Sequence, residues 1–170
     1  PKQKHEKAMD LSFQAKQAMA LNEFSKALTL YAEASELEYE LALLYLPKTE
    51  LEPTRSVILR SACFLLLKAA KYNQAQELIM KSLLSISDEN IKNQLNDALK
   101  VTLDLKNAGS NTLFQHYEYF KELRLNSIEY ILEPKSPYYG NAVALNYARE
   151  FIDNYLKSFY NYVSIKFNKL

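Results

Sequence analysis

Two histidines, one cysteine and 20 acidic residues are the groups in this chain that do catalytic chemistry elsewhere. A zinc site of the helical kind needs two histidines on one turn, flanking a glutamate. His5 and Glu6 are followed by Met9 where the second histidine belongs, so no such site forms there. His116 stands among Phe114, Tyr117 and Phe120, the setting of a packed or surface histidine rather than a general base. Cys63 reads as a buried small residue, because unpaired cysteines are commonly buried and inert. The carboxylates show no pairing beyond what helical surfaces supply. Gly109 and Gly140 are the only glycines, too few for the loops that cradle phosphates with bare backbone. The expectation is a protein without catalytic residues, metal or cofactor.

Cations and aromatics remain. Arg55, two residues after Pro53 at a helix start, can meet an anion or pair with Glu52. Residues 113–170 hold nine of the 13 tyrosines and five of the eight phenylalanines. Tyr130, Tyr138, Tyr139, Tyr147, Tyr155, Tyr160 and Tyr162 could stack on bases. Lys157, Lys166 and Lys169 meet no acid after Asp153. Stacking plus cations holds single-stranded nucleic acid. The same aromatics also suit a small core or a homodimer surface, which is the reading preferred here.

The whole-chain balance agrees. With 21 basic against 20 acidic residues there is no global field to draw in nucleic acid or an anionic membrane. A single cysteine excludes an internal disulfide and favours a reducing cytoplasm. No apolar run approaches the ~20 residues needed to cross a bilayer. The chain opens on Pro1, as an excised domain or a processed protein would.

The elements follow from apolar spacing. A first helix is expected over 3–20, with Ala8, Leu11, Ala15 and Ala18 inward, and Asn22 ends it. A second over 23–45 places Phe24, Ala27, Tyr31, Ala34, Leu41 and Leu44 inward, and Glu33, Glu36, Glu38 and Glu40 in solvent. Pro53 suits the first turn of a third helix, over 53–70, because its missing N–H is unpaired there anyway. A fourth covers 73–86. Ser87 is the expected N-cap of a fifth, which carries Ile91, Leu95 and Ala98 inward and stops near Gly109. Beyond it, 128–144 reads as a short β-hairpin or a continued helix, before a final helix over 146–163.

Seven positions in the first two helices recur 48 residues later. Leu11, Ala15, Ala18, Phe24, Ala27, Tyr31 and Ala34 are answered by Leu59, Cys63, Leu66, Tyr72, Ala75, Ile79 and Ser82. Short side chains at Ala15, Cys63, Ala27 and Ala75 let paired helices approach closely, and the large ones fill the gaps between hairpins. This pattern resembles the tetratricopeptide repeat, whose period is about 34 residues. A longer second helix and the 47–53 connection account for the excess, and Ala18 and Leu66 stand where an aromatic is usual. The stretch PTRSVILRSACFLLL (53–67), continuing into YNQAQELI (72–79), resembles the bacterial TPR-S (sensor) group of conflict systems, found with caspase-like proteases and NTPases. The expected fold is mainly α: two antiparallel hairpins and a capping helix over 1–110, with an aromatic extension over 111–170 packed on them.

The resemblance implies a binding module, adaptor or sensor, that takes a protein segment or small anionic ligand and couples it to a partner such as a protease or NTPase. In that family the first helix of each pair lines the concave groove. Carried over, this assigns Met9, Ser12, Lys16 and Met19, then Val57, Arg60, Ser61, Phe64 and Lys68. Such a face is apolar with three cations, suited to an acidic peptide or a phosphate-bearing ligand. Alternatively, Arg60 and Lys68 are solvated helix residues, or Arg60 pairs with an acid on the second helix. Serines and a lysine stand at Ser12, Lys16 and Ser61 where chaperone-tail binders carry a lysine and asparagines, which argues against a carboxylate clamp of that kind.

Overall fold

The computed structural model describes residues 2–107 and, beyond them, Ala142, Lys157 and Tyr160. Five helices follow one another: α1 (Lys2–Ala20), α2 (Phe24–Tyr45), α3 (Thr54–Lys68), α4 (Tyr72–Leu83) and α5 (Glu89–Asn107). A 3-10 turn, Thr49–Leu51, lies between α2 and α3. There is no strand among the described residues. The expected hairpin, the Gly109 stop and the final helix otherwise lie outside them; Ala142, Lys157 and Tyr160 are helical.

Neighbouring helices pack against each other along the chain, and α3 also packs on α5. Lys4 and His5 meet Glu40 and Glu38 while Met19 meets Tyr31, so α1 and α2 run antiparallel. Lys71 at the far end of α3 pairs with Glu36, and Arg55 at its start reaches Leu46, which makes α3 antiparallel to α2. All fourteen residues of the repeated pattern are buried, so the pattern marks the core.

The turn between the helices is repeated bond for bond. Asn22 and Ala70, 48 positions apart, both take positive φ, at 59° and 58°. The N–H of Glu23 donates to Ala18 O at 2.8 Å and that of Asn22 to Met19 O at 3.0 Å. Lys71 donates to Leu66 O at 2.8 Å and Ala70 to Leu67 O at 3.0 Å. Each is a Schellman closure, with the left-handed residue just past the helix end. Asparagine tolerates that conformation, whereas alanine's Cβ crowds the following carbonyl. We expect Ala70→Gly to stabilise the protein by about 0.5–1 kcal/mol, the relief of strain less glycine's greater unfolded-state entropy. The shift in urea midpoint measures it, and a destabilised variant would show that the turn is unstrained.

Several expectations are corrected. Glu38 is fully buried, not solvated, and Leu44 is 55% exposed, not inward. Both errors arise because α2 lies between α1 and α3, so its buried surface is broader than one stripe and turned relative to it. Pro53 sits just before α3 rather than in its first turn. Helix α4 ends at Leu83, where Ser85 and Ile86 both donate to Ser82 O, and Ile86 is buried beyond the helix. The cap of α5 is Asp88, whose Oδ1 accepts from Ile91 N at 2.9 Å, not Ser87. A carboxylate at that end also opposes the positive pole of the helix.

Candidate functional site

Helix α1 contributes Met9 and Ser12 to a hollow of about 350 Å³, α3 contributes Arg60, Ser61, Phe64, Leu65 and Lys68, and α5 contributes Gln94. Six of the sequence-derived candidates therefore meet in one place. On α3 this follows from spacing alone, since Arg60, Phe64 and Lys68 are four residues apart and share a face.

The partners that hold the cations among the described residues are uncharged. Arg60 Nη1 donates to Gln94 Oε1 at 3.3 Å. Lys68 Nζ stands 5.5 Å from the centroid of the Tyr31 ring, a cation–π contact supplied by α2. Burial, and secondarily the charge of Lys16, pull the Lys68 ammonium below its ordinary pKa. Among the described residues no carboxylate lies within ion-pair distance of Lys16, Arg60 or Lys68. Lys16 is exposed beside this end of the hollow, and Met19 is half-buried, its sulfur 3.7 Å from the Tyr31 hydroxyl that donates to it. Val57 faces a second, mostly apolar hollow with His5, Leu41, Tyr45, Pro53 and Ile58.

Behind the first hollow lies Glu38. His5 Nδ1 is 2.9 Å from its Oε1, and Ser61 lies beside the same carboxylate. Burial pushes the Glu38 carboxyl above its ordinary value of 4.5, and the His5 and Ser61 contacts offset this only in part. A raised pKa means that the folded protein takes up this proton before the unfolded chain does. Stability associated with Glu38 thus grows as pH falls from neutrality towards 4.5 and levels off below it. Glu38→Gln should be at least as stable as the parent at pH 7, with an advantage that shrinks on acidification. Denaturation midpoints across that range decide it; a variant weaker at pH 7 would mean that the pairing with His5 outweighs the burial.

Arg55 is placed elsewhere. It has no exposed surface, and its guanidinium joins Leu46, Glu52 and Ser85 at the start of α3. Cys63 is buried, and burial raises its thiol far above the ordinary range, so it stays protonated. Among the described residues no group of histidine, cysteine and carboxylates is placed to hold a metal ion. None of the described helices is long and apolar enough to cross a membrane.

Gln94, Leu65 and Glu38 are the residues that sequence reasoning missed. Gln94 sits between two inward positions of an amphipathic helix, and only the packing of α5 on α3 brings it to Arg60. Compared with known families, characterised proteins and solved structures, the chain matches none.

Proposed function

We propose that this protein is a non-catalytic binding module of tetratricopeptide-like build, whose hollow between α1, α3 and α5 receives a negatively charged ligand or protein segment. The observation that carries this reading is the convergence of Arg60 and Lys68, with Lys16 beside them, on a concave surface where no carboxylate among the described residues lies within ion-pair distance of them. An unpaired cation in a partly buried place costs desolvation that an anionic guest returns. The tetratricopeptide-like part rests on the antiparallel α1/α2 pairing, the 48-residue repeat and the duplicated turn. On this reading the module acts as an adaptor or sensor that couples its ligand to an effector such as a protease or NTPase, in the cytoplasm.

Charge reversal tests the site. Arg60→Glu should weaken binding of acidic peptides or small anions by about 10- to 100-fold, the worth of a hydrogen bond to a charged group. Its melting temperature should stay near that of the parent, because Arg60 lies on a rim and not in the core. Isothermal titration on both proteins reads the difference, and equal affinities would remove the hollow from consideration.

The rival reading, a nucleic-acid binder acting through the aromatic tail, gains nothing from Tyr160. That ring is 2% exposed and packed on Phe24 and Tyr31, leaving no open face for a base. The other six tyrosines lie outside the described residues.

A further inference from the structure

The cations of the hollow are not one cluster but two poles. Arg60 and Lys68 stand eight residues apart on α3, about 12 Å along the helix axis at ~1.5 Å per residue. At one pole Arg60 is held towards α5 by Gln94. At the other, Lys68 is held over the Tyr31 ring of α2, close enough to Lys16 of α1 to feel its charge. The side chains are thus anchored to different helices, α5 and α2. Between them the walls are Met9, Phe64 and Leu65 with the serines Ser12 and Ser61, none of them charged. The hollow they border has a volume of about 350 Å³.

We propose that the trough takes an elongated ligand with an anionic group at each end and an uncharged stretch between, rather than a single compact anion. This deepens the function proposed above and rests on it. A compact anion at the Lys16–Lys68 pole would leave Arg60 uncompensated, and one at Arg60 would leave two lysines repelling each other. Two negative groups separated by the length of the trough satisfy both ends at once. The chemistry is met by an extended acidic peptide, where ~3.3 Å per residue places the acids three or four positions apart. It is met equally by a small linear dianion.

The test uses the full chain and two probe series in parallel titrations. One is a set of linear α,ω-dicarboxylates of increasing length, each with its monocarboxylate of equal length. The other is a set of peptides with two glutamates flanking leucine at spacings from one to six. We expect an optimum at intermediate length in at least one series, and roughly tenfold weaker binding when either anion is removed. Arg60→Gln and Lys68→Gln should each abolish the benefit of one anion and leave that of the other. Which series shows the optimum identifies the source. Monoanions that bind as tightly as dianions, while still depending on Arg60 or Lys68, would overturn the two-pole inference and leave the anion-binding function standing. No binding in either series, or binding indifferent to both variants, would overturn both.

Discussion

Replacing Arg55 by alanine should lower stability by about 3–5 kcal/mol, the usual loss when one partner of a buried charged network is removed. All five N–H groups of its guanidinium are engaged. Nε and Nη2 donate to Leu46 O at 2.9 and 2.8 Å, Nη1 to Glu52 Oε1 at 2.8 Å and to Ser85 O at 3.4 Å, and Nη2 also to the Ser85 hydroxyl. Leu46 closes α2, Glu52 precedes α3 and Ser85 follows α4, so one side chain ties three helix ends together. Glu52 is committed as well, its Oε2 accepting from the Ser56 N–H at 3.0 Å and hydroxyl at 2.6 Å. Burial pushes the Glu52 carboxyl up, but the bonds from Ser56 and Arg55 together outweigh it and hold it below its ordinary value. Alanine would leave Leu46 O and Glu52 Oε1 without the donors that Arg55 supplies. Lysine should recover little, because a single ammonium cannot reproduce the planar fork. Urea denaturation of both variants measures the effect, and a loss under about 1 kcal/mol for alanine would show that water replaces the guanidinium without penalty.

Tyr160→Ala should cost about 3–5 kcal/mol, the range for removing a large buried aromatic. Its ring lies 6.3 Å from that of Phe24, stacked at 22°, and 6.1 Å from that of Tyr31. Its hydroxyl donates to Lys68 O at 3.2 Å, beside the closing turn of α3. The residue is therefore held by the start of α2 and the end of α3, the region where the two hairpins meet. Tyr160→Phe separates the two contributions, keeping the stacking and losing about 1 kcal/mol for the hydrogen bond. Loss of Tyr160 would also loosen Tyr31, over which Lys68 stands, so anion binding should weaken with it. A Tyr160→Ala protein as stable as its parent would mean that this ring covers Phe24 and Tyr31 without contributing to the fold.

Much of the helical region was legible in the order of residues. Helix positions followed from apolar spacing at three and four, and the fourteen repeated positions proved to be the buried ones, because short and long side chains at fixed intervals have one way to nest. Asn22 marked its turn. Ala70 did not, although it takes the same backbone conformation, because alanine carries no sign of left-handed geometry. Glu38 was misplaced for a related reason. A period of 3.6 describes a helix with one covered face, and α2 has two. Asp88 and Ser87 are both good caps, and only the hydrogen bond to Ile91 distinguishes them.

For the candidate site the division is sharper. The chain alone aligned Arg60, Phe64 and Lys68, since residues four apart on a helix must share a face. It also held both fates of a helix-borne arginine, a guest's partner or a structural tie, without choosing between them. Tertiary packing chose: Arg55 went to the buried tie, and Arg60 to the rim of a hollow. That choice depends on which acids and carbonyls arrive from α2, α4 and α5, and their arrival is a matter of distances in space that no local spacing encodes.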